Sequence, residues 1–385
     1  MARKHHARKL PALKLRQALA FRMKRQHLLG KADDVVSSVR SSCGIQSQIP
    51  QQARIALWVR TRDLAPDDVD ESLWRTRSLV KTWCMRATVH ILPSASFYAY
   101  IQAVGPEVIR SEMRWVSRYG LSGHVVDKAV SAIFEALAGG PLTRNELGEK
   151  VARLAGDDLR QWVERRWGGL VKVAALRGLV CFGPDRGREV TFVRVKDWLP
   201  DANEPQTNTL SSQAFLLRSY LASYGPARIS DFSYWSGIST TGARQALELL
   251  RDEIAQVTVD GEESLLLRED LCEAEEADFD EPVVNLLPSF DPYMLGHRQK
   301  SHLVDEANYK AIYRKAGWVS PVLLLNGRAA GVWEAERKGS RLAVSVKTFG
   351  PIRHEVLAAV EMQAESLAQF FGCKSVLTVK SDLGY

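Results

Sequence analysis

The sequence predicts an α+β fold. A helix, a turn, a second helix and a two-stranded hairpin recur in that order along the chain, and the residues after an acidic run alternate short apolar strands with one helix-period segment. The polar, Pro-containing stretch Pro200 to Ser212 separates the repeats as a connector would.

The first repeat occupies Ser41 to Pro93. It offers a helix over Gln51 to Thr61, a capped helix from Pro66 to Lys81, and an alternating strand from Met85 to Leu92. The second, Ala138 to Val195, opens on a short helix capped by Thr143 with Glu146 three residues on. A longer basic helix beginning at Asp157 follows, then a hairpin around Gly187. The third, Ser223 to Arg268, repeats the order, with Asp260 and Gly261 as its hairpin turn. Helix, turn, helix and hairpin make a winged helix. One copy is a weak sign, since the order also occurs in folds that never meet DNA, but three copies in one basic chain point to nucleic acid.

Beyond the acidic run, Val283 to Leu287, Val322 to Leu325, Arg328 to Arg337 and Arg341 to Val346 read as strands. Asn326-Gly327 favours a type I′ turn, and His354 to Phe371 reads as a helix packed across them. The chain thus divides into a basic leader (1–13), three winged helices (14–100, 101–200 and 213–281), a linker (201–212) and a C-terminal α+β unit (282–385).

With 385 residues, of which 45% are hydrophobic and 25% charged, the chain is too apolar to be disordered and long enough for several domains. No stretch has the ~20 uninterrupted apolar residues of a membrane-spanning helix, and Lys14 and Arg16 break the first apolar stretch, leaving no secretory core. Five scattered cysteines, Cys43, Cys84, Cys181, Cys272 and Cys373, form no metal-binding or redox pair and suit a cytoplasmic protein. The net charge of +7 is uneven: nine basic residues and no acidic one lie between Met1 and Gly30, eight acidic residues and no basic one between Glu269 and Glu281. Such polarity suits a polyanionic partner, although a solvated tail or an organellar transit peptide would share the basic start.

Nucleotide-binding, hydrolase and zinc-protease motifs are absent, so no cofactor and no metal is expected. His297, His302 and Asp291 have the wrong spacing for a metal site. Asp67, Asp68, Asp70 and Glu71 sit where a first helical turn accepts negative charge, and the ten tryptophans are too dispersed for a base-stacking row. One polar cluster stands out, Cys43 to Gln52. Gln46 and Gln48 alternate with Ile45 and Ile49 along an extended stretch ended by Pro50, so both carboxamides face one way. Glutamine is no strong base, so on residues alone this is a hydrogen-bonding loop able at most to place a water or stabilise charge.

Long stretches of the chain resemble the AlkZ/YcaQ family of winged-helix DNA glycosylases: Gln46 to Asp63, Trp83 to Pro93, Leu286 to Ser301, Tyr313 to Arg337 and Phe349 to Pro351. The similarity spans all but the leader. It implies three winged helices and a β-rich element forming a C-shaped basic cleft, with double-stranded DNA carrying alkylated guanine as partner and no cofactor. The implied activity is hydrolysis of the N-glycosidic bond of N7-alkylguanine by a monomeric, cytoplasmic, nucleoid-associated bacterial enzyme, extending to bulky antibiotic adducts and interstrand cross-links.

The family's Gln-x-Gln motif falls on Gln46 and Gln48. Gln46 would orient the deoxyribose or a water, and Gln48, where some relatives carry Asp, would polarise the attacking water. Arg86, Arg298 and Lys300 lie in family-like runs and are expected phosphate contacts. Two hairpins have basic tips suited to the minor groove: Arg186 with Arg188, and Arg337, Lys338 and Arg341. His90, on the first hairpin, reads as a packed histidine. Ser47 departs from the apolar residue common in relatives. The rival readings are a DNA-binding regulator and a drug-sequestering resistance protein, neither with turnover.

Overall fold

The computed structural model describes residues 10–165, 168–202 and 208–381; Arg3, Lys4, Arg8 and Lys9 of the leader, Trp167 and the middle of the linker lie outside them. Within that range the fold is α+β, with three small three-stranded sheets and one five-stranded sheet.

The first small sheet positions the glutamines. Leu79–Trp83 and Val89–Pro93 form an antiparallel pair, and Ile45–Gln46 adds to the outer edge of the second strand. The helix expected through Lys81 in fact stops at Arg75, and the next residues turn into strand. Arg77, at φ 54°, is left-handed and ends the helix, its guanidinium lying 3.9 Å from the Trp198 ring centroid. The misleading feature is burial. Both strands are buried at every position, so the polar-apolar alternation of a half-exposed strand is missing. Successive residues serve different cores. Val80 and Leu92 pack with the helices of residues 97–250, whereas Leu79, Ile91 and Ile45 pack with the C-terminal unit.

In the next segment Thr143 caps the helix Arg144–Ala155 in a reciprocal box with Glu146, as expected. The long basic helix that should follow is broken in two, Arg160–Glu164 and Gly169–Leu176. Gly169 has a positive φ, and a Cβ there would lie 2.0 Å from the Trp162 carbonyl oxygen, so the chain turns where no other residue fits. Val180–Arg186 and Glu189–Arg194 then form the hairpin around Gly187.

Helices Ile229–Ser236 and Thr240–Leu249 precede the hairpin Ile254–Val259 and Glu262–Leu267, whose turn residues Asp260 and Gly261 both have positive φ. The other end of the chain completes this sheet. Ala12–Leu13 runs parallel to Ile254–Val259, and the helix Leu15–Arg25 lies against the acidic run. Arg16 pairs with Asp278, Lys24 with Glu273 at 2.9 Å, and Arg25 with both Asp270 and Glu273. Much of the charge asymmetry of the sequence is therefore met inside the molecule.

The C-terminal sheet runs Val284–Leu287, Val322–Leu325, Arg328–Lys338, Arg341–Thr348 and Lys374–Ser381, antiparallel except for the last, parallel pair. Asn326 and Gly327, with φ of 47° and 77°, make the expected tight turn. Helix His354–Phe370 buries Val356, Val360, Ala364 and Leu367 in the core shared with the sheet and supplies the crossover to the final strand. Among the described residues no helix is long and apolar enough to cross a membrane.

Candidate active site

Gln46 ends the outer edge strand of the first small sheet, and Gln48 lies two residues beyond it. Gln46 pairs with His90 in the ladder, Ser47 N–H donates to the Val89 carbonyl at 2.7 Å, and Pro50 opens the helix Pro50–Trp58. The approach to this edge needs a left-handed pair, Cys43 at φ 52° and Gly44 at φ 97°. A Cβ on Gly44 would lie 2.7 Å from Leu92 Cδ2, so glycine is required there for space as well as conformation. Alternation along the strand then does what the sequence suggested: Ile45 and Ser47 are buried, Gln46 is half-buried and Gln48 is exposed.

Each carboxamide is held by its oxygen. Arg86 Nη2 donates to Gln46 Oε1 at 3.2 Å, and the Val89 backbone N–H donates to Gln48 Oε1 at 3.3 Å. Arg86 Nη1 donates to the Trp235 carbonyl, so one guanidinium joins the amide to helix Ile229–Ser236. Burial is the main cause that lowers the Arg86 pKa. Behind Gln46, the ladder aligns His90 and then Thr82. The His90 pKa is pushed down to about 3, first by burial and then by the Arg86 charge, and Nδ1 donates to the Thr88 carbonyl at 3.0 Å. His90 is thus packed and hydrogen-bonded, as the sequence suggested, and its lowered pKa keeps it neutral.

Two long-range contacts, invisible in the sequence, brace the helix that follows the motif and the turn after it. Gln52 Oε1 accepts from Ser289 N–H at 2.9 Å, and Arg60 meets Asp291 in a two-pronged pair of 2.8 and 2.7 Å with both side chains fully buried. Tyr234, on the helix whose carbonyl Arg86 engages, is 47% exposed. Only its proximity to Arg86 marks it out.

The expected DNA contacts are placed unequally. Arg86 is drawn to the amides, as above. Arg298 is exposed, while its own backbone N–H donates to Asp231 Oδ1 at 2.9 Å. Lys300 is buried: Nζ donates to the Met294 carbonyl at 2.8 Å and to the His297 carbonyl, and burial pushes its pKa down to about 7. Its ammonium faces protein carbonyls rather than an open surface. Arg186 and Arg188 are exposed at their hairpin tip; Arg186 pairs with Glu146 at 2.7 Å, whereas Arg188 has no ion pair among the described residues. Arg337, Lys338 and Arg341 are exposed at the other tip, where Lys338 pairs with Glu336 at 2.9 Å.

Among the described residues no group of three or more His, Cys, Asp or Glu is gathered to hold a metal. His297 and His302 meet edge to face, ring centroids 4.8 Å apart, and burial drives both pKa values well below the ordinary value. Asp70 of the acidic cluster is engaged structurally, accepting from Arg54 Nη2 at 2.7 and 2.6 Å. Cys43, Cys84, Cys181 and Cys373 are buried and Cys272 is exposed.

Comparison with known proteins agrees with this architecture. The family model for AlkZ-like DNA glycosylases matches residues 39–370. The interstrand DNA cross-link repair glycosylase of Streptomyces sahachiroi is 32% identical over 381 residues, covering 93% of this chain and 96% of that protein. The solved structure of Streptomyces sahachiroi DNA glycosylase AlkZ superposes with a TM-score of 0.83 at 28% identity, covering 96% of this chain and 99% of that one. The chain therefore belongs to the AlkZ-like DNA glycosylase family and is a DNA glycosylase.

Proposed function

We propose that this glycosylase hydrolyses the N-glycosidic bond of N7-alkylguanine in duplex DNA, including bulky adducts and interstrand cross-links, and leaves an abasic site without a lyase step. The observation that carries the reading is the placement of two carboxamides, Gln46 half-buried on the sheet edge and Gln48 exposed two residues on, each held by its oxygen. A carboxamide cannot protonate a departing purine. N7 alkylation removes that need, because it gives the base a positive charge and lets it leave neutral.

The remaining task is to place a water and to stabilise an oxocarbenium-like transition state. Each amide oxygen is held internally through one lone pair and keeps a second. In Gln48, the more exposed residue, that lone pair accepts an O–H from the attacking water and turns its oxygen toward the anomeric carbon. Gln46 presents its N–H groups to the deoxyribose or its phosphate. The reading extends to a monomer working in the bacterial cytoplasm, whose three winged helices and C-terminal sheet form an open, C-shaped basic cleft. An open cleft suits a cross-linked base, which cannot be fully extruded while tied to the other strand. Arg298 and the exposed tips with Arg186 and Arg188 or with Arg337, Lys338 and Arg341 are the proposed backbone and groove contacts.

The test is a duplex with one N7-methylguanine, treated with the enzyme and then with alkali. Wild-type protein should yield a strand break at the lesion and free N7-methylguanine. Gln46→Ala and Gln48→Ala should lose product while binding the duplex nearly as before. Release of unmodified adenine or guanine from intact DNA would contradict the leaving-group argument.

A further inference from the structure

We propose that Arg86 is a positioning residue that locks the Gln46 carboxamide in one of its two orientations, oxygen inward and NH2 outward. The inference rests on the catalytic reading of Gln46 above and gives Arg86 a role different from the phosphate contact suggested by its place in a family-like run.

A guanidinium carries five N–H donors and no acceptor. With Arg86 Nη2 donating to Gln46 Oε1 at 3.2 Å, rotating the amide by half a turn would set N–H donors against N–H donors. Only one orientation is compatible with the arginine, and it presents the two amide N–H groups away from the protein. The guanidinium is itself anchored, because Nη1 donates to the Trp235 carbonyl at the end of helix Ile229–Ser236. That helix ends at Gly237, φ 83°, so close to the arginine that a Cβ there would lie 3.4 Å from Arg86 N.

The backbone at the other end is also unusual. Arg86 and Ala87 both have positive φ, 54° and 59°, a conformation uncommon outside glycine. Ala87 N–H to Cys84 O at 3.0 Å and Thr88 N–H to Met85 O at 3.1 Å hold the turn. The turn thus aims the arginine between a rigid helix end and the amide. Two residues further on, Val89 N–H fixes Gln48 by the same logic, its donor meeting the oxygen at 3.3 Å. Arg86 to Val89 is one short segment that sets both carboxamides.

The full-length protein carrying Arg86→Lys or Arg86→Gln tests this against a phosphate-binding role. On the N7-methylguanine duplex the single-turnover excision rate should fall by roughly 10- to 100-fold in Arg86→Gln, whose carboxamide adds an acceptor, and less in Arg86→Lys, whose ammonium is still a donor-only cation. Affinity for the duplex should stay within about threefold, and the slope of log Kd against log salt should be unchanged. A spectroscopic arm is independent of turnover. With glutamine side chains labelled with 15N, the Gln46 amide signal, identified by its loss in Gln46→Ala, should move in both Arg86 variants while the remaining signals stay in place.

An unmoved Gln46 signal overturns the proposal. So does a weakening of binding to damaged and intact duplex alike with a salt slope reduced by about one, the signature of a lost phosphate contact. If wild-type protein releases no N7-methylguanine, the lesion assignment fails, and the amide signal still decides the role of Arg86.

Discussion

A carboxamide is neither acid nor base near neutral pH, so orientation and placement are all that Gln46 and Gln48 would contribute to the proposed hydrolysis. Their alternation with Ile45 and Ile49 suggests a shared facing from the sequence alone, because a strand's period of two needs no tertiary information. Their bracing was not legible. Arg60 and Asp291 lie 231 positions apart, and no local pattern links them. Removing one partner of a fully buried pair strands the other charge, so Asp291→Ala should cost about 3–5 kcal/mol in urea unfolding. Replacing both residues by apolar side chains of similar volume should cost far less, and equal losses would show that the charge plays no part.

His90 yields a pH prediction at the same scale. Its folded pKa of about 3 lies below the ordinary value of about 6.5, so between those limits the unfolded chain binds more protons than the folded one. Stability should therefore be whole above about pH 6.5 and fall as pH drops through that window, His297 and His302 adding in the same sense. Urea midpoints from pH 7.5 to 4.5 should show the decline, shallower in His90→Gln; identical slopes would remove His90 from the account.

At the level of elements, local chemistry was legible where it was complete. Thr143 with Glu146 announced a helix start, and Asp260-Gly261 and Asn326-Gly327 announced tight turns, because each signal needs only a few neighbouring residues. Leu79 to Lys81, the first residues of the strand Leu79–Trp83, read as helix because a strand packed on both faces loses its alternation, and the break at Gly169 is invisible in the sequence because it answers a carbonyl of Trp162 rather than a neighbouring residue. The hairpin around Gly187 separates two arginines that look equivalent in the sequence. Arg186 is paired with Glu146, while Arg188 is exposed without an ion pair among the described residues. If this tip meets the DNA backbone, Arg188→Ala should lower the salt slope of duplex binding by about one, and Arg186→Ala by less, since its charge is already matched by Glu146. Filter binding at several salt concentrations checks both. Equal slopes for the wild type and both variants would move the groove contact to Arg337, Lys338 and Arg341.

For the whole molecule, the uneven charge was the most visible sequence feature and the one most altered by folding. Arg16, Lys24 and Arg25 meet Asp278, Glu273 and Asp270, while Arg22 is buried and donates to the carbonyls of Tyr224 and Pro226. The basic count between Met1 and Gly30 therefore overstates what is available to DNA. The two large cores share the first small sheet, which ties the C-terminal unit to the helical body through alternate residues of the same strands. Unfolding should then be a single transition, with tryptophan fluorescence and far-ultraviolet circular dichroism giving coincident urea curves; two separated midpoints would show that the cores melt independently.

The strand Ala12–Leu13 has a further consequence for how the protein is made. The backbone N–H of Leu15 donates to Asp260, 245 positions later, and the neighbouring strand finds its partner in the same distant hairpin. On a ribosome adding about 5–20 residues per second, the nascent N-terminus waits on the order of tens of seconds before its docking site emerges from the exit tunnel. During that interval the apolar side chains of Leu13, Leu19, Phe21 and Met23, buried in the finished protein, are left to chaperones or to transient contacts with the growing chain.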